Sequence, residues 1–88
     1  MGTSKNSAYL NTAILEVVDN QIRENNPPET KLTYERLLRE GHTEEEAKRL
    51  IGSVVATEIF HVLRDRKEFD KEAFVNALNM LPHMPREE

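Results

Sequence analysis

The chain has 88 residues, a formal net charge of −4 at pH 7 and no cysteine. A chain of this length predicts one domain, residues 1–88, with a limited core. The lack of cysteine excludes disulfides and thiolate metal sites and favours a reducing compartment, so we expect a cytoplasmic protein. The acidic balance disfavours nucleic-acid binding, because such proteins display basic surfaces. No apolar run approaches the roughly 20 residues that span a bilayer, which disfavours a membrane protein.

The first predicted helix covers residues 7–24, after a short polar stretch, residues 1–6, that we expect to form a tail. Its apolar stripe has helical spacing and consists of Leu10, Ile14, Val17, Val18 and Ile22. Gln21 falls within this stripe on a helical wheel, between Ile14 and Val17. The prolines at 27 and 28 end the helix, because proline disfavours helical backbone in the residue before it.

The second predicted helix covers residues 28–40, with Pro28 in its first turn. Gly41 is typical of a left-handed residue after a helix C-terminus. Only two residues later the next helix begins. So short a connection predicts that helices two and three form an αα-hairpin or corner.

The third predicted helix runs from Thr43 through residue 63 and ends near Asp65. Thr43 and Glu46 have the spacing of a capping box. The apolar stripe then consists of Ala47, Leu50, Ile51, Val54, Val55, Ile59 and Val62. The small residues Gly52 and Ala56, four positions apart, indicate a flank that a neighbouring helix can approach closely.

The fourth predicted helix covers residues 71–81, with Asp70 as its N-cap. Phe69 and Phe74 have the spacing of a hydrophobic staple. Pro82 ends the helix, and we expect residues 82–88 to form a second tail. The sequence therefore predicts an all-α fold, a small four-helix bundle with a long central third helix.

Two ionisable residues lie within the apolar stripe of the third helix, Glu58 and His61. Because buried carboxylates and imidazoles persist when they are paired, we expect a buried polar cluster in which Gln21 of the first helix joins them. The alternative is that Glu58 and His61 lie at the edge of the stripe and are half solvated.

Glu58 and His61 also have the spacing of the carboxylate–histidine motif of helical di-iron proteins. Such a site needs two copies of the motif and two further glutamates, and this chain has one copy, so we expect no metal and no cofactor. A dimer could supply the second copy across a two-fold axis. The sequence has no phosphate-binding glycine loop and no nucleophile elbow, which disfavours an enzyme.

From about residue 14 to residue 81 the chain resembles a family of small bacterial all-helical proteins and domains of unknown function. The residues that carry the resemblance are Asp19-Asn20-Gln21, Pro27-Pro28, Tyr34-Glu35-Arg36-Leu37-Leu38, Gly41, the glutamates before Ala47, and Glu58. The resemblance implies an all-helical fold and a bacterial cytoplasmic origin, and it implies no activity. Longer members carry a His-x-Ala-x-His stretch that would match residues 45–49. If any member holds a metal there, Glu45 and Arg49 replace both ligands in this chain.

The best functional prediction from the sequence is a non-enzymatic helical interaction or structural domain. Its partner is expected to be a second copy, giving a homodimer. The third helix is apolar over more than half its circumference, and Phe60 projects towards its polar arc, so three neighbours would leave part of it uncovered. The alternative is a metal-binding helical module centred on Glu58 and His61.

Overall fold

The computed structural model describes the backbone of residues 2–83 and the side chains of residues 12–83. It contains α1 (Gly2–Glu24), α2 (Pro28–Arg39), α3 (Glu44–Asp65) and α4 (Lys71–Met80). Residues 2–83 contain no strand. The predicted all-α fold of four helices with a long central third helix is therefore confirmed.

The bounds of the first and last helices differ from the predicted ones at both ends of the chain. The first helix begins at Gly2, five residues before its predicted start at residue 7. No proline lies between Gly2 and the predicted start, so nothing in this stretch interrupts the helical hydrogen-bond ladder. At the other end, α4 stops at Met80 and residues 81–83 form its C-cap and a turn, whereas residues 84–88 lie outside the described residues.

The predicted start of α3 is confirmed by a reciprocal pair of hydrogen bonds. The Glu46 backbone N–H donates to Thr43 Oγ1 at 3.0 Å, and the Thr43 backbone N–H donates to Glu46 Oε1 at 3.0 Å. These bonds satisfy two of the donors that a helix N-terminus otherwise leaves open. Gly41, just before this cap, has φ +102°, as expected for a left-handed residue after a helix.

The core lies around α3, which packs against α1, α2 and α4. Its buried apolar residues come from all four helices and the C-cap of α4: Val18, Leu37, Ala47, Ile51, Val54, Val55, Phe74, Leu78 and Leu81. Gly52 marks the close approach of α1 to α3, since a Cβ placed there would lie 3.1 Å from Ile14 Cγ2. The predicted small-residue flank is therefore a helix contact at Gly52, whereas Ala56 is exposed.

The short helix α4 is fixed at both ends. At its start, Asp70 Oδ1 accepts a hydrogen bond from the Ala73 backbone N–H at 3.1 Å, and the Phe69 and Phe74 rings lie 5.5 Å apart, as predicted. At its end, the Arg36 guanidinium of α2 donates to the backbone carbonyl oxygens of Leu78 and Leu81, both at 3.0 Å. Arg36 therefore gives the Leu81 carbonyl a donor at the end of α4, and it adds a second donor to the Leu78 carbonyl, which also accepts from the Leu81 backbone N–H at 3.1 Å.

Candidate functional site

An apolar groove of about 400 Å³ opens between α1, α3 and the start of α4. We call it the Glu58 groove. Its apolar lining includes Val17, Val55, Ile59, Val62, Leu63 and Phe69. Two polar side chains, Gln21 and Glu58, also line it. A concave apolar surface with a few polar groups is typical of a binding site.

Glu58 is a mostly buried residue of this groove. It is 8% exposed, and α3 places it in register with the buried residues Val54 and Val55. Its presence within the apolar stripe was expected from the helical periodicity. Among the side chains of residues 12–83, none donates a hydrogen bond to it. The Glu58 oxygens are not among the fully buried side-chain oxygens of the described residues that lack a hydrogen-bond partner, so the carboxylate keeps access to water.

Gln21 lies in the same groove, but its hydrogen bond goes to a different element. Gln21 Oε1 accepts from Thr30 Oγ1 at 2.9 Å, and Thr30 is a fully buried residue of α2. The described side chains show no hydrogen bond between Gln21 and Glu58. The predicted cluster of Gln21, Glu58 and His61 stays a prediction, and the partner that the described side chains give Gln21 is the Thr30 hydroxyl.

His61 lies beside the groove. It is half-buried, and its ring centroid is 6.2 Å from that of Phe60. With Glu58 it borders a smaller cavity of about 210 Å³, here called the side cavity, which is also lined by Arg64 and Lys67. The structure therefore brings Glu58 and His61 to one cavity and Glu58 and Gln21 to another.

Arg64 and Asp65 form an ion pair at the side cavity, which the charged residues Lys67, Glu68 and Asp70 also line. Arg64 Nε donates to Asp65 Oδ1 at 3.0 Å, and this hydrogen bond holds the pKa of the Asp65 carboxyl below its ordinary value. The Arg64 guanidinium also lies 5.2 Å from the centre of the Phe60 ring. Lys67 differs, because it forms no ion pair with any side chain of residues 12–83.

The structure offers two candidate metal ligands, Glu58 and His61. Within residues 12–83, no group of three or more His, Cys, Asp or Glu side chains converges in a way that could hold a metal ion. Protein metal sites of the kind predicted require more ligands than these two. Within the same described region, no helix is both long and apolar enough to cross a membrane.

The apolar residues at the end of α3 are more exposed than the helical periodicity predicts. Ile59 was assigned to the buried stripe but is 42% exposed, and Leu63, which was not singled out, is 73% exposed. Phe60 is 52% exposed, as its position near the polar arc predicts. The difference in helix length indicates this exposure, because the 10 residues of α4 cannot cover all 22 residues of α3.

Comparison of the chain with protein-family models, with curated proteins and with solved structures gives no match. The resemblance to small bacterial all-helical domains therefore stays a prediction that rests on the residues quoted for it.

Proposed function

We propose that this chain is a non-enzymatic helical interaction domain whose partner at the Glu58 groove is a second copy of itself. The observation that supports the proposal is the exposure of three large apolar side chains on one rim of the groove. Ile59, Leu63 and Phe69 are 42%, 73% and 54% exposed. Removing such side chains from water is favourable in proportion to their apolar area.

The exposed area is sufficient for a weak, specific dimer. A large apolar side chain offers about 150–250 Å², so the three rim residues expose on the order of 350 Å². Because non-obligate interfaces are about 57% apolar, such a patch corresponds to roughly 600 Å² per copy. The total, about 1,200 Å², is at the lower bound for stable complexes. We therefore expect a dissociation constant on the order of micromolar.

The shape of the patch favours a second copy as the occupant. Ile59 and Leu63 lie one turn apart on α3, so they present an apolar helix face beside an apolar groove. A helix laid in a groove is a common recognition mode. A two-fold interface uses the same patch on both copies, and here each copy supplies both the helix face and the groove.

The test compares Leu63→Glu with Leu32→Glu by sedimentation equilibrium over a concentration series. Leu32 is 63% exposed on α2 and does not line the groove, so it is a matched control. We expect the wild-type chain and the Leu32 variant to dimerise, and the Leu63 variant to dissociate at least tenfold more readily, because it buries two unpaired carboxylates. A wild-type chain that stays monomeric throughout, or equal weakening in both variants, would contradict the proposal.

The composition of the chain supports two further parts of the proposal, a protein partner and a cytoplasmic location. The net charge of −4 supports a protein partner over nucleic acid, and the lack of cysteine supports the cytoplasm. The metal-binding alternative retains Glu58 and His61 as its two candidate ligands, and no further observation favours it.

A further inference from the structure

We propose that the Glu58 groove is a binding site for an amphipathic ammonium ligand, an alkyl or aryl amine whose cation contacts Glu58. The site lies within one copy of the chain, so it does not rest on the proposed self-association. Seven of the nine described residues that line the groove are apolar, and the other two are Gln21 and Glu58. Its volume of about 400 Å³ falls within the range of about 300–1,000 Å³ that small-molecule sites occupy.

Glu58 supplies the group that recognises the cation. The residue is 8% exposed, and its carboxylate oxygens keep access to water. The side chains of residues 12–83 donate no hydrogen bond to it, so a ligand in the groove meets no competing donor from them. An ammonium group that replaces this water forms a charge-assisted hydrogen bond beside apolar surface, where the attraction is stronger than in bulk water.

The charges around Glu58 favour a cation over an anion. The side cavity, which shares Glu58 with the groove, is lined by four carboxylates and two basic side chains: Glu58, Asp65, Glu68, Asp70, Arg64 and Lys67. With His61 neutral, these groups give a formal charge of −2. Because a cleft with apolar walls concentrates the field of its charges, a cationic ligand is attracted and an anionic ligand of the same shape is repelled.

Gln21, the other polar residue of the groove, leaves the Glu58 carboxylate available. Gln21 Oε1 accepts a hydrogen bond from Thr30 Oγ1 at 2.9 Å, which ties the amide to α2. The amide is neutral, and the described side chains show no hydrogen bond between it and Glu58. Among the described lining residues, Glu58 is therefore the one that carries a charge, and it selects the charge of the ligand.

The apolar part of the ligand has a path along α3. From Val55 to Leu63 the α3 wall of the groove extends over two turns, about 12 Å, which suits an alkyl chain of about eight carbons. Ile59 and Leu63 follow Glu58 along this wall and are 42% and 73% exposed. Because a bound chain removes these side chains from water, it adds affinity in proportion to the apolar area that it covers.

A titration with two probes of one shape tests the ligand class. Octylammonium and octanoate carry chains of the same length and opposite charges near neutral pH, and each is titrated into the full chain at about 150 mM salt, which screens exposed charges. NMR signals of methyl groups report binding, with Val55, Ile59 and Leu63 inside the groove and Leu32 outside it. We expect octylammonium to shift the groove signals with a dissociation constant on the order of 1 mM, at least tenfold below that of octanoate.

Two matched variants separate Glu58 from the general charge of the protein. Glu58→Gln keeps the shape of the side chain and removes its charge, and Glu45→Gln makes the same charge change at an exposed position in the first turn of α3, outside the groove. We expect Glu58→Gln to weaken octylammonium binding at least fivefold and to reduce the preference over octanoate to less than about twofold. Glu45→Gln should stay within about twofold of the wild-type chain.

The outcomes separate this inference from the proposed function. Equal affinity of the wild-type chain for the two probes, equal effects of the two variants, or groove signals that stay fixed at ten times the expected dissociation constant overturns the ligand site. Self-association then stands, because sedimentation without the probes measures it. A monomeric wild-type chain overturns self-association and leaves the ligand site. Titration at two protein concentrations separates competition by a second copy from the affinity for the ligand, and circular dichroism checks the fold of both variants.

Discussion

Gly52 shows how one small residue fixes the position of a whole helix. Glycine in a helix interior costs up to about 1 kcal/mol relative to alanine, so its presence in α3 needs a compensating contact. The structure supplies one, since the Ile14 side chain of α1 occupies the space that a Gly52 side chain would fill. The packing of α1 on α3 therefore depends on the missing side chain.

We expect Gly52→Val to lower the free energy of unfolding by about 1–3 kcal/mol, because the added methyl groups overlap with Ile14 and push the helices apart. Urea denaturation followed by circular dichroism measures the loss. Ala56→Val, one turn further along α3 at an exposed position, is the matched control and should change stability by less than about 0.5 kcal/mol. Equal losses in the two variants would show that β-branching, and not the contact with Ile14, is responsible.

Glu58 and Gln21 show which side-chain properties the sequence could predict. The burial of Glu58 follows from its position on one helix, and the periodicity of α3 was enough to place it in the apolar stripe. The partner of Gln21 depends on how α1 and α2 meet after the turn at residues 25–27. That geometry brings the Thr30 hydroxyl within 2.9 Å of Gln21, and no periodicity encodes it.

Among the helices, α4 depends most visibly on a single distant side chain. It has 10 residues, and helices this short are marginal without tertiary contacts. Phe74 and Leu78 bury its apolar face, and the Arg36 guanidinium binds the carbonyl oxygens at its C-terminus. A cation at this end also interacts favourably with the helix dipole.

Arg36→Gln is expected to destabilise the fold by about 1.5–3 kcal/mol, because it removes charged hydrogen bonds to the Leu78 and Leu81 carbonyl oxygens and leaves the Leu81 carbonyl without its side-chain donor. Arg39→Gln, on an exposed position of α2, changes the net charge equally and should cost less than about 0.5 kcal/mol. Thermal denaturation of both variants gives the comparison. Glu40→Gln isolates the Arg36–Glu40 surface pair, and if it alone reproduces the loss, the contact with α4 is not the cause.

The helix ends were the most predictable elements, because their signals are local. The capping box at Thr43, the left-handed Gly41 and the cap and staple at Asp70 each involve residues within a few positions of one another. The role of Arg36 was not predictable in this way. Its acceptors are backbone carbonyl oxygens 42 and 45 positions along the chain, which any residue type would present.

In the molecule as a whole, one helix serves both the core and the proposed interface. The first part of α3 carries buried core residues such as Ile51 and Val54, and its last two turns expose Ile59, Phe60 and Leu63. Partner binding at the exposed end would therefore act on the same rigid element that organises the fold. Association and folding stability should be thermodynamically linked.

This linkage predicts that the melting temperature of the wild-type chain rises with protein concentration. For a dimer that unfolds to monomers, each tenfold increase in concentration adds about 1.4 kcal/mol per dimer. Shared between two domains of this size, that increment corresponds to an increase of about 3–5 °C in melting temperature once the dimer is populated. Leu63→Glu should melt at a temperature that does not depend on concentration, whereas Leu32→Glu should follow the wild-type trend. Scanning calorimetry over a hundredfold concentration range measures all three, and a concentration-independent wild-type transition would mean that the exposed end of α3 has a different partner.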